Sequence, residues 1–432
     1  MTTHLRRNAV AILLDFAGFG TALGFMGYNT LLPLLAFTLT QNEALVGLVG
    51  TLWTGMWLLP QMAAGRWMSR RPRKKPVLIG GALLSRLAFG LLVVMLAAGR
   101  ALDPFTAFAG VVILIALFRG LDAVAAVAWF DVVSKVLPTT VRGRIFGLGQ
   151  ALANVLRFGA SLVVTAAIAG GLKYPDSFIT LYGFAALSLG LSFFALLFLR
   201  EPIEDNSKPL AGQLSFLAHT LHVLRTDPRF RQMTIARLLV GLFELAGPQY
   251  VVHATKELGL ADSIIGLFLA AQTVGGVLAS IALGGLSGRK GAASVIRVGT
   301  ILAASVPLLA LLLHLLGHNQ PGPAAVGYVL LYGLSGALDA SYMLGYLDYT
   351  MAIAPPGERA TYTGLANTIG GLVVVAPTIG GVILRFTSYP VLFACAAVGA
   401  GLGLLAALRL PAAWSAAEPA VSETVGVETA QA

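Results

Sequence analysis

The chain has 432 residues, 57% of them hydrophobic and only 11% charged, with a mean hydropathy of +0.82. A soluble domain keeps about a quarter of its residues charged to stay wettable, so a soluble globule is excluded. The formal net charge of +10 would suggest nucleic acid only if the cations shared one face. Their placement along the chain, traced below, points to topology instead.

Apolar runs long enough to cross a hydrocarbon core of about 30 Å recur along nearly the whole sequence. They fall near residues 10–35, 45–64, 76–98, 105–132, 145–168, 178–199, 233–253, 263–286, 295–316, 324–352, 361–384 and 390–410. Each must be helical, because a backbone amide in lipid needs a partner within its own segment, and the alternating pattern of a barrel strand is absent. The expected fold class is therefore an all-α membrane protein with twelve transmembrane helices. Arg6 and Arg7 precede the first run, which is too long for a cleaved leader and reads as an uncleaved first helix.

The loops alternate sharply in charge. With the N-terminus cytoplasmic, 21 of the 29 Lys and Arg residues fall on the inside, and only Arg100, Lys173, Lys256 and Arg385 fall outside. That is the positive-inside pattern, which places both termini in the cytoplasm. Cys395 is the only cysteine, so an intramolecular disulfide or a thiol-based metal or redox site cannot form.

A polar stretch around Pro202, Glu204, Asp205 and Pro209 separates two groups of six runs. The expected division is an N-terminal six-helix bundle at 1–200, a cytoplasmic central loop at 201–231, a C-terminal six-helix bundle at 232–411 and a disordered acidic tail at 412–432. Within the central loop, residues 214–224 are amphipathic enough to lie along a membrane surface or to serve as a plain linker helix.

The halves repeat each other. Displaced by 217 residues, Leu121, Asp122, Asp131, Pro138 and Arg142 fall on Leu338, Asp339, Asp348, Pro355 and Arg359; displaced by 219, Gly47, Thr54, Gly65 and Arg70 fall on Gly266, Thr273, Gly284 and Arg289. A parallel duplication of this kind places a binding site near the midplane between the repeats, where rocking of one against the other alternates access.

After the second run comes a loop with Gly65, Arg70, Arg73 and Lys74, which resembles the Gly-x-x-x-Asp-Arg-x-Gly-Arg-Lys signature of the major facilitator superfamily; Ser69 and Pro72 depart from it. Gly284, Arg289 and Gly291 form a fainter second copy. The resemblance covers the chain to Leu410. It implies two pseudo-symmetric six-helix bundles, a central cavity lined by helices 1, 4, 7 and 10, and a secondary transporter. It also implies a monomer embedded among membrane lipids; the excess of Arg over Lys and the dominance of Ala, Gly and Leu point by composition to a bacterium, and so to its cytoplasmic membrane.

Ionisable groups inside lipid are functional candidates by default. Those near mid-span are Arg86, Arg119, Asp122, Arg157, Glu244 and Asp339. Arg119 and Asp122 are spaced to pair on one helical face; they either neutralise each other and hold helix register, or serve proton transfer, as the resemblance of Arg119 to the family's fourth-helix motif implies. A buried carboxylate that gives up its proton on meeting water is what proton coupling needs, and Glu244 has no charged partner close by on its own helix. Arg157 could meet an anionic solute or pair with Asp122. Asp15, Tyr28, Asn29, Gln249, Tyr250 and Tyr342 complete the candidate substrate or proton site. Gly65, Arg70, Arg73, Lys74, Asp131, Arg142, Asp348 and Arg359 are the candidate gate, where salt bridges at the cytoplasmic ends would latch one state and part in the other.

Ala376, Pro377, Gly380 and Gly381 resemble an antiporter signature, but on the eleventh run rather than the fifth, so they suggest export while helix packing explains them equally. No Gly-x-x-x-x-Gly-Lys-Ser/Thr loop is present. No His-Glu-x-x-His or other hydrolytic pattern is visible, and His222, His253, His314 and His318 are scattered, so no enzyme, metal or cofactor is expected. The sequence reading is a proton-coupled exporter of a small organic solute, with an uncoupled facilitator or a membrane sensor as the alternatives.

Overall fold

The computed structural model describes residues 3–69, 71, 73–98, 102–202, 222–317, 320–354 and 359–411. Arg70, Pro355, most of the amphipathic stretch and the acidic tail lie outside these residues, as does the side chain of Arg359. Among the described residues twelve helical spans are long and apolar enough to cross a bilayer: His4–Thr40, Glu43–Gly65, Lys75–Ala98, Pro104–Val136, Arg144–Ala169 and Asp176–Leu197, then Pro228–Glu257, Asp262–Lys290, Ala292–Gly317, Pro321–Ile353, Leu365–Phe386 and Tyr389–Leu408. They are numbered 1 to 12 below.

The packing of the first six spans is repeated by the last six. Span 1 lies against spans 5 and 6, span 3 against spans 4 and 6, and span 2 against span 4; each pair recurs six spans later. The register of the repeat is visible in single residues. Span 4 begins at Pro104 and span 10 at Pro321, each with proline in the first turn, where its missing N–H costs nothing. The two end at Val136 and Ile353, so the offset of 217 residues holds at both ends. Large apolar side chains such as Leu59, Leu187, Ile281 and Val326 stand more than 70% exposed, as helices solvated by lipid tails require.

Spans 1 and 7 are broken at corresponding places, and span 11 tightens to a 3-10 turn over Gly371–Val375. Span 1 was expected as one run but consists of Thr3–Met26 and Leu31–Thr40. Gly27 between them has φ +51°, a left-handed conformation that suits glycine. Its carbonyl accepts from the Thr30 and Leu32 amides at 2.8 and 3.1 Å, which re-satisfies the freed backbone. Span 7 runs as an α-helix over Pro228–Gly241, tightens to a 3-10 turn over Leu242–Leu245, and resumes at Gln249. Gly247 and Pro248 cause that break, because proline has no N–H to continue the ladder.

The halves meet through span 2 against span 11 and span 5 against span 8. All hydrogen bonds that join them, among the described residues, lie toward one face, the far face, opposite the termini. Gln249 Nε2 donates to the Glu43 carbonyl at 2.8 Å, Thr378 Oγ1 to Thr51 Oγ1 at 2.8 Å, and Tyr332 Oη to the Asn29 carbonyl at 3.5 Å. Glycines allow this contact: a Cβ on Gly266 would collide with Ser161 and Thr165 of span 5, and one on Gly381 with Glu43 and Ala44 of span 2. Toward the terminus-bearing face, Arg359–Gly370 of span 11 packs chiefly on its own half. Among the described residues the bundle is closed at the far face and parted at the other.

A pair Thr51→Cys with Thr378→Cys, in a Cys395→Ser background, is therefore expected to form a disulfide on mild oxidation, because the replaced oxygens already touch. The matching pair on the parted face, Ser134→Cys with Met351→Cys, is expected to stay reduced; loss of maleimide labelling measures both.

Candidate functional site

Among the cavities lined by described residues, two hold the interior charges. The first, about 300 Å³, lies inside the N-terminal half and is walled by Phe16, Phe19, Trp57, Trp129 and Phe130, with Asp15, Arg86 and Asp122 as its charges. The second, about 440 Å³, lies between the halves and is lined by Tyr28, Thr54, Leu58 and Arg157 from one side and by Arg237, Glu244, Asp339, Tyr342 and Asn367 from the other. Arg157 borders both.

In the first cavity the interior charges form a connected network. Asp122 and Arg119 stand 3.7 Å apart at i and i+3, as their spacing suggests, but the shorter contact of Asp122 is to Arg86 of span 3, at 2.9 Å. Arg119 instead donates through Nε to the Trp53 carbonyl at 2.9 Å, with its guanidinium 4.3 Å from the Trp53 ring. Arg86 Nη2 reaches Ser192 at 3.4 Å, and Ser192 donates to Asp15 at 2.6 Å; Trp129 Nε1 donates to the other Asp15 oxygen at 2.7 Å. Arg86, which the sequence marked only as a mid-span cation, is thus the hub of the network. Arg157 does not pair with Asp122.

The central cavity gathers Tyr28, Arg157, Glu244, Asp339 and Tyr342 from the candidate set. Tyr28 sits on the break of span 1, stacked on Trp53 with ring centroids 5.2 Å apart. Glu244 sits on the 3-10 turn that breaks span 7. Its carboxylate has no hydrogen bond or ion pair among the described residues, while its carbonyl accepts from the Gly247 amide at 3.2 Å. Asp339 is exposed into the cavity and accepts one bond, from Gln272 Nε2 at 3.2 Å. Arg237, not foreseen, donates to Tyr342 Oη at 2.8 Å, to the Ala366 carbonyl at 2.9 Å and to Asn367.

Other candidates are placed elsewhere. Asp15, Arg119 and Asp122 belong to the first cavity or its wall. Gln249 is fully buried at the far-face junction, and its neighbour Tyr250 stacks on Phe393 with centroids 5.6 Å apart. Asn29 contributes its carbonyl to the same junction. Two of the scattered histidines meet: His253 Nε2 and His314 Nδ1 are 2.9 Å apart, and His253 Nδ1 bonds the Tyr328 hydroxyl. Among the described residues no cluster of three or more His, Cys, Asp or Glu could hold a metal.

At the terminus-bearing face the candidate gate residues bond within their own halves. Asp131 pairs with Lys135 at 2.8 Å, Arg142 donates to the Leu137 carbonyl at 3.0 Å, and Asp348 accepts from Ser287 at 3.0 Å. Arg73 is exposed, whereas Lys74 is buried and donates to the Met68 and Arg71 carbonyls at 2.5 and 2.7 Å, a cation on the negative end of helix 2. Glu201, absent from the sequence reading, accepts from the Lys74 and Lys75 amides at 3.0 and 2.8 Å and from Lys135 at 3.4 Å. It ties the loop after Gly65 to spans 4 and 6.

The sequence matches the model of the Major Facilitator Superfamily over residues 14–374 and 243–429. No curated protein matches it in sequence. Among solved structures it is similar to a peptide transporter of the POT type, with TM-score 0.70 and 15% identity over 95% of this chain and 98% of that one. It is similar also to the nucleoside transporter NupG, with TM-score 0.66 and 15% identity over 94% and 100%. A third is a bacterial homologue of the iron transporter ferroportin in an inward-facing state, with TM-score 0.67 and 14% identity over 94% and 98%. At these identities the likeness is one of fold.

Asp122→Asn is expected to lower stability by about 3–5 kcal/mol, since it leaves Arg86 buried without its anion. Arg86→Met combined with Asp122→Leu is expected to recover most of that loss, read as melting temperature in detergent.

Proposed function

The chain belongs to the major facilitator superfamily, a family of secondary transporters, and on that premise we propose that it is proton-coupled and carries a small organic solute by alternating access. The observation that supports this reading is the pair of carboxylates, Glu244 and Asp339, without ionic partners in the cavity between the halves. A charge at bilayer depth is costly unless paired or reached by water, and its usual task there is to bind the transported species or a proton.

The broken spans strengthen the assignment. Interrupted helices at corresponding positions of two repeats are where carriers of this architecture expose backbone and side chains to their cargo. Tyr28 and Glu244 occupy the two interruptions. In the proposed cycle Glu244 takes up a proton while the cavity faces one side and gives it up when it faces the other. Solute and proton compete for the same carboxylates, which links their movements reciprocally.

Export is the direction proposed, by exchange with external protons. Its support is the sequence around Pro377 and Gly380, although both glycines there also have packing tasks against Leu245 and Glu43. The excess of cations in the terminus-bearing loops supports cytoplasmic termini and the cytoplasmic membrane of a bacterium. The parted face is then the cytoplasmic one. Asp131, Arg142, Asp348 and Arg359 are the groups proposed to meet across it when the cavity turns outward. The protein is proposed to act as a monomer among lipids.

Proteoliposomes loaded at acid pH, offered amino acids, nucleosides and organic cations at neutral pH outside, test the coupling. The expected result is solute accumulation that collapses to the equilibrium level when nigericin removes the gradient. Glu244→Gln is expected to lose gradient-driven accumulation at least about tenfold while keeping solute exchange. Accumulation indifferent to nigericin would contradict proton coupling and make the protein a facilitator.

A further inference from the structure

The charged groups of the central cavity differ in what they already hold. Arg237 is engaged within the C-terminal half by Tyr342, Ala366 and Asn367. Arg157 is not. Its Nε is buried without a hydrogen-bond partner, its guanidinium carbon is 5.8 Å from the Tyr28 ring centroid, and no carboxylate forms an ion pair with it among the described residues. Opposite, Glu244 has no bonding partner, and Asp339 has one neutral donor. One guanidinium on the N-terminal half thus faces two carboxylates on the C-terminal half across a cavity of about 440 Å³. The Tyr28 phenol lies within electrostatic reach of all three.

Charges that served only to neutralise each other would be in contact, as Arg86 and Asp122 are at 2.9 Å. Arg157 and the carboxylates are held apart by the cavity instead, each with unused hydrogen-bonding capacity, in surroundings where an unsatisfied polar group is costly. A lone cation would answer the carboxylates and repel Arg157; a lone anion would do the reverse. A neutral solute would answer neither. We propose that the central cavity takes a zwitterionic solute, its anionic group on Arg157 and its cationic group toward Glu244 and Asp339, with an apolar body against Leu58, Phe243 and Val374.

The arrangement has a mechanical consequence. The two charges of the solute bind different halves, so the bound solute draws the parted face together, and a singly charged solute would hold only one half. A ligand shifts a conformational equilibrium only by the contacts it gains in the favoured state, and a bridging solute gains them on closure. The cationic group of the solute occupies the carboxylates that otherwise take the proton, so zwitterion and proton compete for Glu244 and Asp339.

This inference rests on the carrier reading but fails separately from it. The full chain in lipid nanodiscs is titrated, by thermal shift and calorimetry, with three matched sets: phenylalanine, alanylphenylalanine and 4-aminobutanoate, each beside its carboxamide and its N-acetyl derivative. The expected result, in at least one set, is a zwitterion that binds at least about tenfold more tightly than both singly charged relatives, since a site built to bond a charged group rejects the analogue lacking it. In Arg157→Gln the advantage over the carboxamide is expected to vanish, and in Glu244→Gln and Asp339→Asn the advantage over the N-acetyl form. Arg157→Lys is expected to restore the first. A carboxamide or N-acetyl form that binds as tightly as its zwitterion in every set, or no binding in any set, would overturn the inference, and the wild-type comparison alone suffices should a variant fail to fold. If a singly charged solute nonetheless exchanges across proteoliposomes, the carrier reading stands and the zwitterion reading falls.

Discussion

A bilayer offers the backbone no hydrogen-bond partner, and that constraint organises this molecule. Where the ladder can be completed it is, over nine spans that run nearly unbroken from face to face and a tenth, span 11, that departs from it in a 3-10 turn over Gly371–Val375. Where it is broken, at Gly27 and at Gly247 and Pro248, the freed groups must be turned inward and met by local bonds, such as those the Gly27 carbonyl accepts from the Thr30 and Leu32 amides. The breaks therefore cannot face lipid. They set Tyr28 and Glu244 on opposite walls of one cavity, and the symmetry of the repeat puts them at matching depth.

The same constraint sorts the interior cations. Arg86 and Arg119 are paired inside the N-terminal half with Asp122 and the Trp53 carbonyl, Arg86 keeping only its Nε without a partner. Arg237 is satisfied inside the C-terminal half. Arg157 alone of these four lines both cavities and, among the described residues, has no carboxylate in contact. Two arginines hold the N-terminal half together and one the C-terminal half, and the fourth looks across the gap between them. The division of labour suits a carrier whose halves move as units, because the networks that keep each half rigid do not cross the moving interface.

Much of this was legible in the sequence because bilayer thickness and duplication leave strong marks. The twelve runs, the six-and-six division and the repeat that aligns Asp122 with Asp339 follow from hydropathy and self-similarity. Glu244 and Asp339 stood out as acids in lipid. What the sequence hid was pairing between helices distant in the chain: Arg86 to Asp122, Ser192 and Trp129 to Asp15, Arg237 to Tyr342, His253 to His314. Spacing along one helix made Arg119 the natural partner of Asp122, and only packing shows that Arg86 approaches more closely. Gln249 and Tyr250 follow the break of span 7, and the turn there carries them into the far-face junction, away from the cavity that Glu244 enters. The break in span 1 was signalled by Gly27 next to Tyr28 and Asn29, a cue overridden by the apolar run on either side.

The central claim is that the halves rock about the cavity as units, exchanging the contacts of one face for those of the other. Spin labels at Ser134→Cys with Met351→Cys on the terminus-bearing face, and separately at Gln41→Cys with Thr387→Cys on the far face, in a Cys395→Ser background, test it by pulsed dipolar spectroscopy in nanodiscs. The account predicts that pH or a bound solute shortens the first distance and lengthens the second in the same fraction of molecules. Distances that stay fixed under every condition, or that change in the same direction on both faces, would contradict it.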